Sequence, residues 1–167
     1  MESKPWLNVW NLPKNTISPE AAMLDKLQNE YDIVFVVAGT NKTQKDSRIK
    51  PKRIGAPADS INSLVVNATS ILKEPASYTR EGPVLNFFRK PDISCFGGDD
   101  TEQMAVWSPQ GVALTAGTSF AAPWITRKMA YLIYVMHFSR ETAKAMLIDA
   151  ASGWKKSQPT TSRLDMA

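Results

Sequence analysis

The stretch DIVFVVAGTN at residues 32–41 constrains the fold of this chain more than any other feature. Its apolar centre is unbroken, rich in β-branched residues and closed by Gly39, which is typical of a strand covered on both faces in a parallel sheet. Residues 18–31 before it have the pattern of a helix, with Ser18 as N-cap and Pro19 in the first turn. The predicted apolar face of this helix consists of Ala21, Leu24, Leu27 and Tyr31. A helix followed by a buried strand is half of a βαβ unit.

The rest of the chain continues this alternation of helices and short apolar segments. Further strands are predicted at residues 63–69, within 91–98, and on both sides of a turn at 109–111, with helices at 118–136 and from Ser139 to a stop near Gly153. Residues 73–91 contain three prolines and a glycine and are predicted to be loop. The pattern predicts an α/β fold with a mostly parallel sheet, whose function is expected at the carboxyl ends of the strands.

Length and net charge limit the number of domains and the kinds of partner. A length of 167 residues suits one domain, and a net charge of +4 is too small to indicate a nucleic-acid partner. Residues 42–53 hold six basic residues and one acidic residue, and a solvated loop is the favoured interpretation. A phosphate or nucleic-acid contact is the alternative, although the segment lacks aromatic residues for stacking.

Cysteine and histidine usage bears on redox and metal chemistry. The single cysteine, Cys95, cannot form an internal disulfide, so no oxidising compartment is required. Cys95 and the single histidine, His137, cannot form a zinc site without several carboxylates. The chain has no uncharged run of 18 apolar residues and no signal-peptide pattern at its start, so we expect a cytoplasmic location without a membrane partner.

The segment ALTAGTSFAAP at residues 113–123 passes from a predicted strand through Gly117 into a predicted helix. Ser119 lies at or just inside the helix start, where free N–H groups and the helix dipole stabilise negative charge. Gly117 would permit close approach and unusual backbone angles, and Pro123 cannot donate to the carbonyl of Ser119. The arrangement suits a nucleophile, but spacing alone favours the interpretation of Thr118 or Ser119 as a simple N-cap.

The segment GTSFAAPWIT also resembles the serine signature Gly-Thr-Ser-x-Ala-x-Pro of the subtilisin-like serine proteases, or subtilases. Three further blocks occur in that family's order: YDIVFVVAGTN, PADSINSLVVNAT and SYTREGPVLNFFRKPDISCFGG. The resemblance extends from residue 31 to about residue 151. The resemblance implies a three-layer, subtilisin-like α/β fold, here incomplete, and a serine endopeptidase acting on a peptide or protein substrate. It implies that Ser119 is the nucleophile and that its N–H and the Asn41 amide form the oxyanion hole. Thr40 is an extra residue before Asn41 and could rotate that amide away.

The base and its orienting carboxylate are missing from the sequence. Subtilases place Asp and then His before the serine, but no histidine precedes Ser119 and no Asp-Ser-Gly or Asp-Thr-Gly occurs. His137 follows 18 residues later, about 27 Å away on a continuous helix, and is predicted to be a helix-terminal residue. Residues 1–155 are therefore expected to be the C-terminal portion of a subtilase catalytic domain, with a disordered polar tail at 156–167 and an upstream Asp/His half as partner.

The sequence is compatible with two functions. The first is a serine endopeptidase fragment that is inactive alone, and the second is a non-catalytic peptide-binding or regulatory module derived from a subtilase. A dinucleotide-binding domain at VVAGTN is disfavoured because no Gly-x-Gly-x-x-Gly occurs. The resemblance also implies a possible ATPase partner and makes a calcium site conceivable, although no ligand cluster stands out and no cofactor is expected.

Overall fold

The computed structural model describes residues 15–42, 53–80 and 82–151. Most of the basic segment, the predicted helix stop at Gly153 and the tail at 156–167 lie outside these ranges. The elements in chain order are helix α1 (Pro19–Tyr31), strands β1 (Val36–Ala38), β2 (Leu64–Thr69), β3 (Gly82–Leu85), β4 (Phe88–Lys90), β5 (Ile93–Phe96), β6 (Met104–Ser108) and β7 (Gly111–Thr115), and helices α2 (Thr118–Tyr134) and α3 (Arg140–Asp149).

A parallel three-stranded sheet with the order β1-β2-β5 forms the centre of the fold. All six residues of β2 are buried, as expected for a central parallel strand. Strand β1 is only half-buried, in contrast to the prediction of a strand covered on both faces, because it is an edge of this sheet within the described residues. The prediction of an α/β fold with a parallel sheet and flanking helices is confirmed.

The two faces of the sheet are covered by different elements. Helix α2 packs on one face, where its buried residues Ala121, Ile125 and Met129 join Leu64 and Val66 of β2 in the main core. A smaller core lies on the opposite face, formed by Ile54, Ala58, Val65 and Val84 with Phe88 packed against them. Because both faces are apolar, β2 carries a continuous run rather than an alternating pattern.

The predicted loop at residues 73–91 proves wrong in its second half. Strands β3 and β4 form an antiparallel hairpin, and the side chains of Val84 and Phe88 cover the sheet. Pro83 sits where the strand register is irregular, and Pro91 follows the end of β4. Proline is tolerated at strand irregularities and beyond strand ends, so the prolines do not exclude a hairpin.

Helix α1 begins and ends as predicted, but polar contacts attach it to the sheet in addition to the predicted apolar face. Ser18 is its N-cap and accepts from the Ala21 N–H, and Ala21 and Gln28 are its buried residues. Tyr31, predicted on the apolar face, is 62% exposed. The reason is that polar groups attach the helix: the Gln28 side chain donates to Ser63 Oγ at 3.2 Å and accepts from the Phe35 N–H at 3.0 Å.

The two C-terminal helices begin where predicted and end earlier, α2 at Tyr134 and α3 at Asp149. Helix α2 runs without interruption through Pro123, and His137 follows its end with φ +56°. Ser139 caps α3 by accepting from the Thr142 N–H at 3.2 Å. Across residues 15–42, 53–80 and 82–151, no helix combines the length and apolarity needed to cross a bilayer.

Candidate active site

The serine turn, defined here as residues 115–119, joins β7 to α2. The N-cap of α2 is Gly117, which makes no side-chain cap bond, and the helix begins at Thr118. Ser119 is therefore the second helical residue, so the interpretation of Ser119 or Thr118 as the N-cap is wrong. Thr118 is 1% exposed, whereas Ser119 is exposed to solvent. The Ser119 hydroxyl is thus accessible beside the free N–H groups of a helix start.

Asn41 lies against the serine turn. Its Oδ1 accepts from the Thr118 N–H at 3.3 Å and lies 2.9 Å from the Thr118 hydroxyl, which also donates to the Gly39 carbonyl. Because Oδ1 is engaged in this way, the Nδ2 hydrogens are turned away from Thr118 and can donate elsewhere. Asn41 is exposed, so a ligand above the turn can reach these hydrogens.

The extra residue Thr40 does not move Asn41 off the serine turn. The Gly55 N–H donates to Thr40 Oγ1 at 2.9 Å, which directs the Thr40 side chain towards the next segment of the chain. Asn41 itself keeps its contacts with Thr118 across 77 positions of sequence. The geometry thus brings together Asn41 and the residue before Ser119.

Two glycines allow this close packing. Gly117 has φ 160°, an extended angle open to any residue, so the expectation of an unusual angle there is wrong. Space is what favours a glycine, since a Cβ at Gly117 would lie 3.3 Å from Asn41 Nδ2 and the amide would have to shift slightly. At Gly39 a Cβ would lie 2.0 Å from Asn67 Oδ1, far inside contact distance.

The ends of the parallel strands meet at the serine turn, as the sequence predicts. The Gly117 N–H donates to the Gly97 carbonyl at 3.0 Å, and the Gly97 N–H donates to the Thr69 carbonyl at 3.2 Å. Gly97 follows β5, and Thr69 ends β2. A Cβ at Gly97 would lie 2.7 Å from the Ala68 Cβ, so the segment after β5 packs directly against β2.

Sequence reasoning missed two residues of this site. Thr118 was considered only as a cap, although its side chain joins Gly39 to Asn41. Tyr78 was not considered individually, yet its hydroxyl lies 2.6 Å from the Gly98 carbonyl and 3.2 Å from the Gly97 carbonyl. An aromatic hydroxyl in the SYTREGP segment was the available signal, but its partners are 19 and 20 positions away.

No base contacts Ser119 in the part of the chain that is described. His137 lies beyond the opposite end of α2, about 27 Å along the helix direction. Within the same ranges, no group of three His, Cys, Asp or Glu side chains is placed to bind a metal ion. Asn41 therefore contacts the residue before the exposed Ser119 at a helix start, and among the described residues no histidine lies beside them.

A cavity of about 230 Å³ lies at the other end of the sheet, between α1 and α3. Its cations serve the backbone: Arg140 donates to the carbonyls of Gln28 and Ile33, and Lys144 donates to that of Asn62. These hydrogen bonds satisfy backbone carbonyls at the end of α1 and just before β2. The cavity is separate from the serine turn and its charges already have partners.

Comparison with solved structures identifies similar folds at low sequence identity. The epidermin leader peptide processing serine protease (EpiP) from Staphylococcus aureus matches with a TM-score of 0.60 and 17% identity, over 86% of this chain and 40% of that one. The prenylagaramide maturation protease PagA matches with a TM-score of 0.62 and 19% identity, over 84% of this chain and 48% of that one. A lanthipeptide protease matches with a TM-score of 0.62 and 16% identity, over 83% and 48%.

The chain therefore spans less than half the length of these proteases. No curated protein gives a significant sequence match. The family comparison is more direct, because the sequence matches the subtilase family, peptidase S8, over residues 8–165. This match includes the serine turn, Asn41 and all ten elements of the fold. The chain belongs to the subtilase family.

Proposed function

We propose that this chain is the nucleophile-bearing part of a serine endopeptidase. The observation that supports it is the Asn41–Thr118 contact, which holds a side-chain amide beside the turn that carries the exposed Ser119. Ser119 Oγ would attack the carbonyl carbon of a peptide bond. The Ser119 N–H and Asn41 Nδ2 would donate to the oxygen that becomes negative.

A histidine and an aspartate from outside these 167 residues would complete the proposed site. A serine hydroxyl needs a base at neutral pH, and the only histidine in the sequence lies at the far end of α2. The similar proteases EpiP and PagA are about twice as long as this chain, which is consistent with a second half of similar size. We propose that this half is the partner of the chain and that the chain alone is inactive.

A second function is favoured by that same distance between Ser119 and His137. A subtilase-derived module without a base could bind a peptide in the groove beside the serine turn and release it uncut. The name of EpiP describes processing of a leader peptide, and for this chain we propose a peptide or protein substrate. We also propose an ATPase partner and a cytoplasmic location.

A fluorophosphonate probe separates the two functions. We expect the probe to label Ser119 when the chain is joined to, or mixed with, a subtilase segment that supplies Asp and His, and not when the chain is alone. Ser119→Ala should abolish labelling. A folded, completed domain that leaves Ser119 unlabelled would favour the binding module instead.

The oxyanion role of Asn41 has its own test in the completed domain. Asn41→Ala should lower kcat by about 10²–10³, the loss known for the corresponding asparagine of subtilisin itself. Asn29→Ala, which removes an exposed amide from α1, is the matched control and should leave kcat unchanged. Equal kcat values for Asn41→Ala and Asn29→Ala would contradict the role given to Asn41.

A further inference from the structure

Tyr78 contacts both strand-end segments that form the candidate active site. It lies in the segment after β2, with its ring packed against the main core and its side chain half-buried. The same segment is anchored to β2, since the Ala76 N–H donates to the Ala68 carbonyl at 3.1 Å. The Thr79 N–H and hydroxyl both donate to the Ala76 carbonyl, which fixes the backbone around Tyr78.

The hydroxyl of Tyr78 reaches the Gly97–Gly98 backbone beneath the serine turn. Its donor distance is 2.6 Å to the Gly98 carbonyl and 3.2 Å to the Gly97 carbonyl. The Gly97 carbonyl also accepts from the Gly117 N–H at 3.0 Å. Burial raises the pKa of Tyr78 to about 12, Asp99 adds to the increase, and the Gly117 N–H opposes it. The hydroxyl therefore stays a proton donor at neutral pH, directly beside the backbone of Gly117.

The backbone of Tyr78 holds the other half of the site. Its carbonyl accepts from the Lys42 N–H at 2.6 Å, and Thr79 forms an isolated antiparallel bridge with Asn41. The Lys42 ammonium donates to the Ser77 carbonyl at 3.0 Å. Three consecutive residues, 77–79, therefore fix the position of Asn41 and of the residue that follows it.

We propose that Tyr78 is a positioning residue that sets the distance between Asn41 and the serine turn. Its hydroxyl holds the backbone under Gly117, while its carbonyl holds the segment of Asn41. A donor group on Asn41 and a donor group on Ser119 must face the same oxygen, and an error of about 1 Å in such geometry can cost about 10²-fold in rate. The consequence for catalysis rests on the proposed function, whereas the placement of Asn41 does not.

Tyr78→Phe tests the proposal because it removes one oxygen atom and keeps the ring in the core. The full 167-residue chain, labelled with ¹⁵N, is compared with Tyr78→Phe by amide hydrogen exchange. We expect exchange at the Gly117 amide to accelerate by about five- to tenfold, the effect of one lost hydrogen bond. The Asn41 side-chain amide signal should shift as well. The Leu64 amide, which donates to Phe35 at the far end of β2, should exchange as before.

Tyr134→Phe is the matched control, because Tyr134 is 77% exposed near the end of α2. It should change neither signal. In the completed protease, Tyr78→Phe should lower kcat per active site, with active sites counted by complete fluorophosphonate labelling and KM unchanged. A general loss of stability would instead lower the number of labelled sites. A wild-type domain without proteolysis would count against the proposed function, and the exchange data would still decide on Tyr78. Unchanged Gly117 and Asn41 signals in Tyr78→Phe, or equal acceleration of all amides, would overturn the inference.

Discussion

At the residue scale, the site depends on two glycines that face amides. Gly117 faces Asn41 Nδ2 and Gly39 faces Asn67 Oδ1, and in each case the side chain of an alanine would meet a polar atom. The two differ in how far that atom can retreat. Asn41 is exposed, whereas Asn67 is buried and its Nδ2 donates to the Arg80 carbonyl at 2.9 Å. The same substitution should therefore have different consequences at the two positions.

We expect Gly39→Ala to lower the free energy of unfolding by about 1–3 kcal/mol, the usual cost of overpacking a core. Gly117→Ala should cost under about 1 kcal/mol, because Asn41 can move. It should nevertheless shift the Asn41 side-chain amide signal, which Gly39→Ala affects less directly. Urea unfolding and ¹⁵N spectra of both variants make the comparison. A larger loss of stability for Gly117→Ala than for Gly39→Ala would show that Asn41 is the more rigid amide.

Tyr78 gives a second residue-scale prediction, on stability at high pH. Its pKa is raised from 10.0 to about 12 in the folded chain, so folding favours the protonated hydroxyl. The resulting stabilisation is complete below pH 10 and is lost as the pH rises towards about 12. Denaturant midpoints should therefore fall more steeply with pH in the wild type than in Tyr78→Phe. Burial also raises the pKa of Cys95 to about 11, but this contribution is common to both proteins and cancels in the comparison. Parallel pH profiles would contradict the prediction.

At the element scale, the N-caps of α1 and α3 use the same residue in different surroundings. Ser18 is buried, and besides capping α1 it donates to Asp59 Oδ1 at 2.8 Å. Ser139 is exposed and caps α3. Removing the hydroxyl of Ser18 therefore leaves a buried carboxylate oxygen without this donor, whereas water can replace the hydroxyl of Ser139.

We expect Ser139→Ala to destabilise the fold by about 1 kcal/mol, as for an ordinary cap. Ser18→Ala should cost about 2–3 kcal/mol, because a buried charged group loses a hydrogen bond as well. Thermal or urea unfolding of the two variants provides the measurement. Equal losses would indicate that Asp59 finds another partner when the Ser18 hydroxyl is gone.

The starts of α1 and α3 were predictable because their signals are local. Ser18 with Pro19 and Ser139 with Thr142 each lie within a few residues of the helix start that they define. The β3–β4 hairpin was not predictable in this way. What stabilises it is contact of Val84 and Phe88 with the opposite face of the sheet, and proline content alone carries no information about that contact.

At the scale of the whole molecule, the described fold leaves apolar surface exposed. The outer face of the β6–β7 hairpin carries Trp107, Val112 and Leu114, which are 83%, 69% and 66% exposed. Trp107 and Val112 are direct cross-strand partners, so this surface is continuous. Continuous apolar surface of this kind is associated with contacts between proteins.

We therefore expect the isolated chain to self-associate through this face. A Trp107→Lys and Leu114→Lys double variant should sediment with a smaller average mass than the wild type at the same concentration. Phe87→Lys is the control, since Phe87 is 85% exposed but stands alone at the β3–β4 turn. Analytical ultracentrifugation over a range of concentrations gives the comparison. A wild type that sediments as a monomer at every concentration would contradict the prediction.

The assembly of the candidate site shows where sequence reasoning reaches its limit. The resemblance to subtilases named Ser119 and Asn41, and the carboxyl ends of the strands were the expected location. Whether Thr40 displaces Asn41 depended on a bond from the Gly55 N–H, which no local pattern reveals. The role of Tyr78 likewise depends on carbonyls 19 and 20 positions away.

The pairing of Gly39 with Asn67 has a consequence for how the strands align. A strand that is buried along its whole length, like β2, cannot use alternation of apolar and polar residues to reject a slipped alignment. Gly39 can reject a slipped alignment in another way, because this position directly after β1 leaves space for the Asn67 amide. A slip by one residue would bring the Cβ of Ala38 or Thr40 towards that amide. The same fit that crowds the Asn67 side chain therefore sets which residue of β1 lies opposite which residue of β2, and with it the position at which Asn41 leaves the sheet.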